Sequence, residues 1–168
     1  MILCDRDLLS IGKQLLEPFD EELVNSASID VRIGYSAMVE RKSEDGGAFV
    51  RVSLEGHTKE HPWIIHPKEF ILVESFETLR VPNGYAVELK LKSSRAREGF
   101  NHSLAFWFDP GWQGVGTFEI HNISMYQHLP LYPGLRFGQI IVHRLSGDAI
   151  KPYQGRYQYA KGVEKSKG

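Results

Sequence analysis

Residues 91–122 read LKSSRAREGFNHSLAFWFDPGWQGVGTFEIHN and carry the strongest fold signal in the chain. Leu104 to Phe108 and Val115 to Asn122 alternate in polarity as strands do, and turn residues from Asp109 to Gly114 join them. We therefore predict a hairpin of two strands. Serines, arginines and carboxylates recur among its apolar positions, and this density of polar groups indicates a ligand site.

Glu119 lies in the middle of the second predicted strand. The period of two places it on the face of Thr117, while Phe118 and Ile120 point toward the opposite layer. Asp109 lies at the other end of the predicted hairpin, so that two carboxylates flank it. Taken alone, each carboxylate is also consistent with an ordinary solvent-facing acid.

Residues 92–99 lack strand alternation and are predicted to form a turn or a short helical turn. The segment combines hydroxyl groups, guanidinium groups and backbone N–H groups, a mixture that suits a phosphate. A solvated basic loop is the alternative that this pattern leaves open.

These motifs and several others resemble, in their order, those of the dCTP deaminases, which share a superfamily with the trimeric dUTPases. The matching segments are SIDVRIG (28–34), SSRAREG (93–99), Ala105, FDPGW (108–112), Gly114, TFE (117–119), PGLRFGQ (133–139) and YQGRY (153–157). The resemblance covers most of the chain. It implies that the substrate is dCTP, deaminated to dUTP and ammonia.

The resemblance also implies roles for individual residues. The Ser93 hydroxyl, the Ala105 carbonyl and Glu119 would polarise the attacking water. Arg97 would fix Glu119 and stabilise developing charge. Further substrate contacts are implied for Lys92, Ser94, Arg95, Ala96, Asp109, Thr117, Phe118, Gln139, Tyr153 and Arg156.

The chain lacks the usual zinc signature of nucleobase deaminases. Most of these enzymes activate water with zinc held by a histidine and two cysteines, under His-x-Glu and Cys-x-x-Cys motifs. Cys4 is the one cysteine in this sequence. We therefore expect neither bound zinc nor another metal site made by the protein. Magnesium is expected to arrive with the triphosphate, bound to its oxygens and to water.

Composition limits the broad class of protein. A chain of 168 residues with a net charge of −1 suggests one domain without global attraction to nucleic acid or membrane. No apolar run reaches the ~18 residues of a membrane span. A single cysteine allows no internal disulfide. We expect a cytoplasmic enzyme that binds neither nucleic acid nor membrane.

Outside the central stretch, one helix is followed by many short strands. Asp5 is predicted to cap a helix that runs to about Leu16 and stops before Pro18. Predicted strands cover 29–33, 49–54, 63–66, 70–75, 85–91 and 136–144. This pattern, with the resemblance, predicts an all-β, jelly-roll-like antiparallel sandwich or barrel of the dUTPase-like kind, with one short N-terminal helix.

Asp30 and Arg32 place opposite charges on one face of the first predicted strand. The spacing alone suggests a surface salt bridge. The resemblance instead places this pair near the subunit contacts of a trimer. Because the site residues come from distant segments of one small domain, we expect a homotrimer with active sites between subunits.

Residues 151–168 form a basic, aromatic terminus. Its charged residues are Lys151, Arg156, Lys161, Lys165 and Lys167, against Glu164 alone. By default such a terminus is disordered. The resemblance implies a mobile lid that orders over the triphosphate, within a single domain of residues 1–168.

Two positions depart from the family pattern. Phe106-Trp107 stands where many single-function deaminases carry His-Arg, and forms that also cleave the triphosphate more often have Gly followed by an aromatic residue. Ala160 stands where the family usually has a glutamine, whose contact Gln158 would have to supply. Three readings stay open: a dCTP deaminase, a bifunctional enzyme or dUTPase that uses Asp109 to activate water, and a nucleotide-binding regulator without turnover.

Overall fold

The computed structural model describes residues 1–44, 46–103 and 105–168, and strands dominate that part of the chain. The elements are α1 (Asp5–Leu15), β1 (Leu16–Glu17), a 3-10 turn (Glu21–Leu23), β2 (Val24–Asn25), β3 (Ser28–Ser43), β4 (Gly46–Ser53), β5 (Trp63–Ile65), β6 (Phe70–Arg80), β7 (Tyr85–Leu91), α2 (Ser93–Glu98), β8 (Phe100–His102), β9 (Trp107–Phe108), β10 (Gln113–Asn122), β11 (Leu129–Leu131) and β12 (Arg136–Arg144). Neither of the described helices has the length and apolarity needed to cross a bilayer. The predicted all-β class is confirmed, and the helical turn predicted near residue 93 is α2.

Strand β3 connects the two halves of the fold. Its first part pairs with β12, and its second part pairs with β6 and β4, always antiparallel. The resulting order is β8-β10-β6-β3-β12-β7-β9. The register shifts between Ile33 and Ala37, and a bulge at such a point lets one long strand bend and change partner. The two halves of the sheet thereby face each other.

The core lies between these two halves. Phe118 of β10 and Phe137 of β12 are 2% and 0% exposed, and their ring centroids are 5.4 Å apart. Phe100 also packs against Phe137, at 5.9 Å. Burying a side chain of this size contributes about 1.5–3 kcal/mol. These contacts hold one face of β10 against the core and leave its other face for a site.

Helix α1 begins where it was predicted, but Asp5 does not cap it. Cys4 occupies the N-cap position, and the Asp5 carboxylate accepts a hydrogen bond of 2.8 Å from the Arg6 N–H within the first turn. A carboxylate there still interacts favourably with the helix dipole. Leu15 is buried at the end of the helix, whereas Leu9 is 45% exposed.

The predicted hairpin is wrong. Strand β9 is only Trp107–Phe108 and pairs with β7, whereas β10 pairs with β6 and β8. The turn between them is held by Val81, whose N–H donates to the Trp112 carbonyl and whose carbonyl accepts from the Gly111 N–H. These bonds direct the chain from one half of the sheet to the other. Leu104, the first residue of the predicted strand, lies outside the described residues.

Asp30 and Arg32 do not form the salt bridge that their spacing suggested. Asp30 is 2% exposed and accepts two hydrogen bonds of 2.6 Å from the Lys92 ammonium. Arg32 binds the fully buried Glu77, at 2.7 Å from Nε and 2.9 Å from its backbone N–H. Asp30 therefore pairs with the N-cap residue of α2 and Arg32 pairs with a residue of β6, and alternation along one strand reveals neither partner.

Candidate active site

A cavity of about 510 Å³ opens on the face of β10 that is turned away from the core. Thr117 and Glu119 line it from β10, and Phe70 lines it from the neighbouring strand β6. Residues 105–108 form another wall. The remaining wall comes from residues 151–168, which we call the tail. Aromatic walls around a few polar groups are typical of sites for small ligands that contain a planar ring.

Glu119 is the carboxylate that β10 contributes to this cavity. Buried and half-buried residues alternate from Gln113 to Asn122, which confirms the predicted faces of the strand. The Oε2 atom of Glu119 is buried and has no hydrogen-bond partner among the described residues. Burial raises the pKa of this carboxyl group above its ordinary value. A carboxyl group shifted toward neutral pH can both accept and donate a proton in the cavity.

Four of the residues singled out in the sequence meet at this cavity. Ala105, Thr117, Glu119 and Tyr153 all line it, although they come from three separate segments. Next to Ala105, the ring of Phe106 is 7% exposed and separates the cavity from the core. A carboxyl group and a hydroxyl group thus share one cavity.

Helix α2 does not contribute to the cavity lining. None of the described residues from 92 to 99 lies there, and Ser93 and Arg97 are exposed. Arg95 pairs with Glu98 on the same helix, at 2.7 Å. Ser94 and Ala96 are exposed as well, and Lys92 is bound to Asp30. The roles expected of α2 stay predictions, because this chain does not bring these groups to the cavity of Glu119.

Asp109 and Phe118 flank the cavity without lining it. Asp109 is exposed and accepts a hydrogen bond of 3.1 Å from the Trp107 indole N–H. The alternation of β10 turns the Phe118 side chain into the core, as predicted, and the substrate contact implied for this residue stays a prediction. Trp107 does line the cavity, with 53% of the residue exposed. Sequence reasoning noted it only as a departure from the family pattern.

Gln139 and Arg156 lie elsewhere in the chain. Gln139 on β12 accepts a hydrogen bond of 3.2 Å from the Ser28 hydroxyl. Arg156 is exposed and donates to the backbone carbonyl of Lys167 at 3.4 Å, a contact within the tail. Both residues remain predicted substrate contacts that this chain does not bring to Glu119.

The first part of the tail docks on the turn before β10. Gly114 and Ala160 form a parallel bridge. A Cβ atom at Gly114 would lie 2.8 Å from the Ala160 nitrogen, and the φ angle of +154° also disfavours other residues, so this close approach requires glycine. The Gln158 side chain donates to the Gly111 carbonyl at 2.8 Å and accepts from the Gln113 N–H at 2.9 Å. The mobility expected of the tail stays a prediction.

The last part of the tail reaches the cavity itself. Residues 164–166 line it together with Tyr157, and the adjoining Val163 is 1% exposed. The sequence predicted a lid over residues 151–168 but named none of residues 164–166 as an individual substrate contact. Their polar composition shows no periodicity, and the one available signal was Val163, an isolated apolar residue in a charged segment.

The described residues contain no group of three or more His, Cys, Asp or Glu side chains placed to hold a metal ion. Two carboxylates, Glu119 and Glu164, do line the cavity. They offer proton transfer, and two carboxylates alone make a poor cage for a divalent cation that prefers six or more oxygens.

Comparisons with known proteins point to one family. A family model described as dCTP deaminase-like matches residues 5–145. The chain is 38% identical over 185 aligned positions to a protein of Thermobifida fusca named "dCTP deaminase, dUMP-forming", with 99% of this chain and 92% of that relative covered. It is 38% identical over 144 positions to the dCTP deaminase of Pyrococcus furiosus, with coverage of 86% and 84%.

Two solved structures share the fold. The 2'-deoxycytidine 5'-triphosphate deaminase of Agrobacterium tumefaciens matches with a TM-score of 0.69 and 20% identity, over 85% of this chain and 47% of that chain. This chain thus spans about half the length of the Agrobacterium one. The EIAV dUTPase matches with a TM-score of 0.50 and 17% identity, over 79% and 87%. The predicted dUTPase-like fold is confirmed.

Proposed function

Because this chain belongs to the dCTP deaminase-like family, we propose that it hydrolyses the 4-amino group of dCTP, consuming one water and releasing dUTP and ammonia. The chain would then be a hydrolase acting on a cytosine nucleotide, as the names of its Thermobifida and Pyrococcus relatives indicate for those proteins. The observation that carries the proposal is the buried Oε2 atom of Glu119, which has no partner among the described residues and lies in a cavity with aromatic walls.

Glu119 is the proton carrier of the proposed reaction. As a carboxylate it takes a proton from the water that attacks C4 of cytosine, and as a carboxylic acid it delivers that proton to N3. It then moves the second proton from the new hydroxyl group to the amine, which leaves as ammonia. Burial raises the pKa of this carboxyl group, which favours the protonated form that it must adopt during the reaction. The Ala105 carbonyl, in the same cavity, would accept a hydrogen bond from the other O–H of the attacking water.

Ser93 and Arg97 would reach the cavity from a neighbouring subunit of a homotrimer. Two observations support this arrangement. Both side chains are exposed on α2, and Glu119 Oε2 has no hydrogen-bond partner among the described residues. An arginine placed there would fix the carboxylate, and the serine hydroxyl would orient the water. Light scattering should give the mass of three chains. An active monomer would refute this assembly.

The proposed reaction uses no zinc, because hydrogen bonds to Ser93, Ala105 and Glu119 would polarise the water that zinc activates in most nucleobase deaminases. Magnesium belongs to the substrate and would arrive on the triphosphate. A zinc chelator that spares magnesium should leave the deamination rate unchanged. One zinc ion per chain in elemental analysis, with loss of activity on its removal, would overturn this part of the mechanism.

The tail, residues 151–168, would act as a lid over the triphosphate. Tyr153 already lines the cavity, and Arg156 lies within the same basic segment. Their hydroxyl and guanidinium groups would bind the β- and γ-phosphates. Ending the chain at Pro152 should sharply reduce affinity for dCTP and reduce affinity for deoxycytidine less. Equal losses for the two ligands would argue against a phosphate lid.

A second candidate is the formation of dUMP and pyrophosphate from dCTP. The Thermobifida fusca relative, which covers 99% of this chain, is named dUMP-forming. Here Asp109 would activate a second water for attack on the α-phosphorus of dUTP, with pyrophosphate as the leaving group. The indole N–H of Trp107 holds the Asp109 carboxylate at 3.1 Å, which fits a carboxylate kept in a fixed orientation.

One incubation separates these functions. The protein is mixed with dCTP and magnesium, and the nucleotide products are resolved by chromatography while ammonia is measured. Ammonia with dUTP supports the deaminase, and ammonia with dUMP and pyrophosphate supports the bifunctional enzyme. Tight binding of dCTP without any product would instead indicate a nucleotide-binding regulator.

A further inference from the structure

We infer that Arg51 is a positioning residue for the proposed reaction, because its guanidinium group holds the end of the tail against the chain's own cavity. Arg51 lies on β4, a strand to which the sequence assigned no site residue. Its Nη2 donates to the backbone carbonyl of Val163 at 3.0 Å, across 112 residues of sequence. Its Nη1 donates to the Ser36 hydroxyl on β3, also at 3.0 Å. One side chain thus joins the β3–β4 pair to the tail.

A second hydrogen bond supports the attachment from β10. The Thr117 hydroxyl accepts from the Glu164 N–H at 3.1 Å. Among the described residues, Arg51 and Thr117 supply the side-chain hydrogen bonds from the sheet to residues 161–168. Both act on backbone atoms of the tail, so they fix its path whatever side chains it carries.

The buried side chain of Val163 explains why the attachment lies at this point. Val163 is 1% exposed, whereas most of the surrounding tail is exposed. Its burial and the Arg51 bond fix the same residue, and the next three residues, 164–166, line the cavity. Because a residue can lie no more than about 3.8 Å from its neighbour along the chain, fixing Val163 determines where this wall forms.

The attachment has a mechanistic consequence. The upstream contact at Ala160 holds the tail only at Gly114, near the start of β10. Without Arg51, residues 161–168 would lose one of their two side-chain attachments to the sheet and leave the cavity open for more of the time. Substrate would then be bound less tightly, while the chemistry at Glu119 in the closed state would be unchanged. The consequence for turnover rests on the proposed function, whereas the attachment itself does not.

The test compares Arg51→Met with Arg41→Met in the full-length protein. Methionine keeps an unbranched apolar stem and removes the donors. Arg41 is a matched control, since it is an exposed arginine on the neighbouring strand β3 that pairs with Glu69 at 3.2 Å, away from the tail. Backbone amide hydrogen exchange of residues 161–168 is measured without nucleotide, and KM and kcat are measured for dCTP.

We expect Arg51→Met to accelerate amide exchange in residues 161–168 by about tenfold, and to raise KM for dCTP by about tenfold with kcat changed by less than about twofold. Arg41→Met should match the wild-type protein in all three measurements. Unchanged exchange in the Arg51 variant would overturn the attachment. Faster exchange with unchanged KM would overturn its positioning role.

A second variant distinguishes loosening of the tail from a general loss of folding. Val163→Thr keeps the shape of the side chain and puts a hydroxyl group in its buried place, which should loosen the same segment without touching β4. If Arg51→Met lowers the melting temperature of the sheet, Val163→Thr must still show faster exchange and raised KM, or the inference fails. If the wild-type protein does not turn over dCTP, the proposed function fails, and the exchange measurements still decide whether Arg51 holds the tail.

Discussion

Two carboxylates on neighbouring strands have opposite environments: Glu77 of β6 is fully buried, and Glu119 of β10 is half-buried with a buried Oε2 atom. Burial raises the pKa of both carboxyl groups. Glu77 accepts hydrogen bonds from Arg32 on both oxygens, at 2.7 and 2.9 Å, and these oppose the effect of burial. The Oε2 atom of Glu119 has no such partner among the described residues and faces a cavity. Burial alone therefore does not distinguish the two carboxylates, and the missing partner beside a cavity is the reason that the proposed reaction uses Glu119 rather than Glu77.

The largest expected effect is on catalysis by Glu119→Gln. An amide cannot carry protons between water, ring nitrogen and amine, so deamination of dCTP should fall by at least ~100-fold, equivalent to about 2.7 kcal/mol of the barrier. Binding of dCTP, measured by calorimetry, should persist. The matched variant Glu77→Gln should retain turnover per folded molecule. Near-normal turnover in Glu119→Gln would end the assignment.

The next effect is on stability and belongs to Glu77→Gln. This change leaves the Arg32 charge without its carboxylate, in a site where the arginine side chain is 19% exposed. Breaking a fully buried pair costs about 3–5 kcal/mol, and partial hydration of Arg32 reduces the expected loss to about 2–4 kcal/mol. Urea unfolding measures it. Adding Arg32→Met should recover part of the loss, and failure to do so would mean that the pair is not the cause.

The smallest expected effect is a gain of stability in Glu119→Gln, of about 0.5 kcal/mol, because an unpartnered buried carboxylate is removed. An arginine supplied by a neighbouring subunit would offset part of that gain. A raised pKa means that the folded state binds the proton more tightly than the unfolded chain. The Glu119 contribution is therefore fully present below the ordinary pKa and lost as the pH rises through the raised one.

Melting temperatures recorded at several pH values test this pH dependence. The advantage of Glu119→Gln over the wild-type protein should be absent in acid and should grow as the pH approaches neutral. An advantage that is constant across the range would show that the pKa of Glu119 is not raised in the folded protein. The explanation of the stability gain by an unpartnered carboxylate would then fail.

The faces of an individual strand were more predictable than the strands with which it pairs. The alternation from Val115 to Asn122 correctly placed Glu119 and Phe118 on opposite faces, because side-chain direction in a strand follows from the local backbone. The same alternation led to a wrong hairpin. It contains no information on whether β9 pairs with β10 or, as it does, with β7.

Short pairings and long-range contacts escaped prediction for a related reason. Strands β8 and β11 have three residues each, too few for periodicity to register, and they exist because β10 and β5 lie beside them. The contacts of Arg51 with Val163 and of Arg32 with Glu77 join residues that are distant in sequence. A charged residue in a sequence does not indicate which distant residue it will pair with.

By itself, the sequence determined the strand-rich class, the faces of β10, the position of α2 and the motifs that resemble the dCTP deaminases. Only the tertiary structure decided that Glu119 faces a cavity without a partner among the described residues, that α2 lies outside this cavity, and that the tail docks on Gly114. The physical reason is that backbone geometry and periodicity act between near neighbours. Strand partners, burial and the pairing of charges depend on how the whole curled sheet closes on its core.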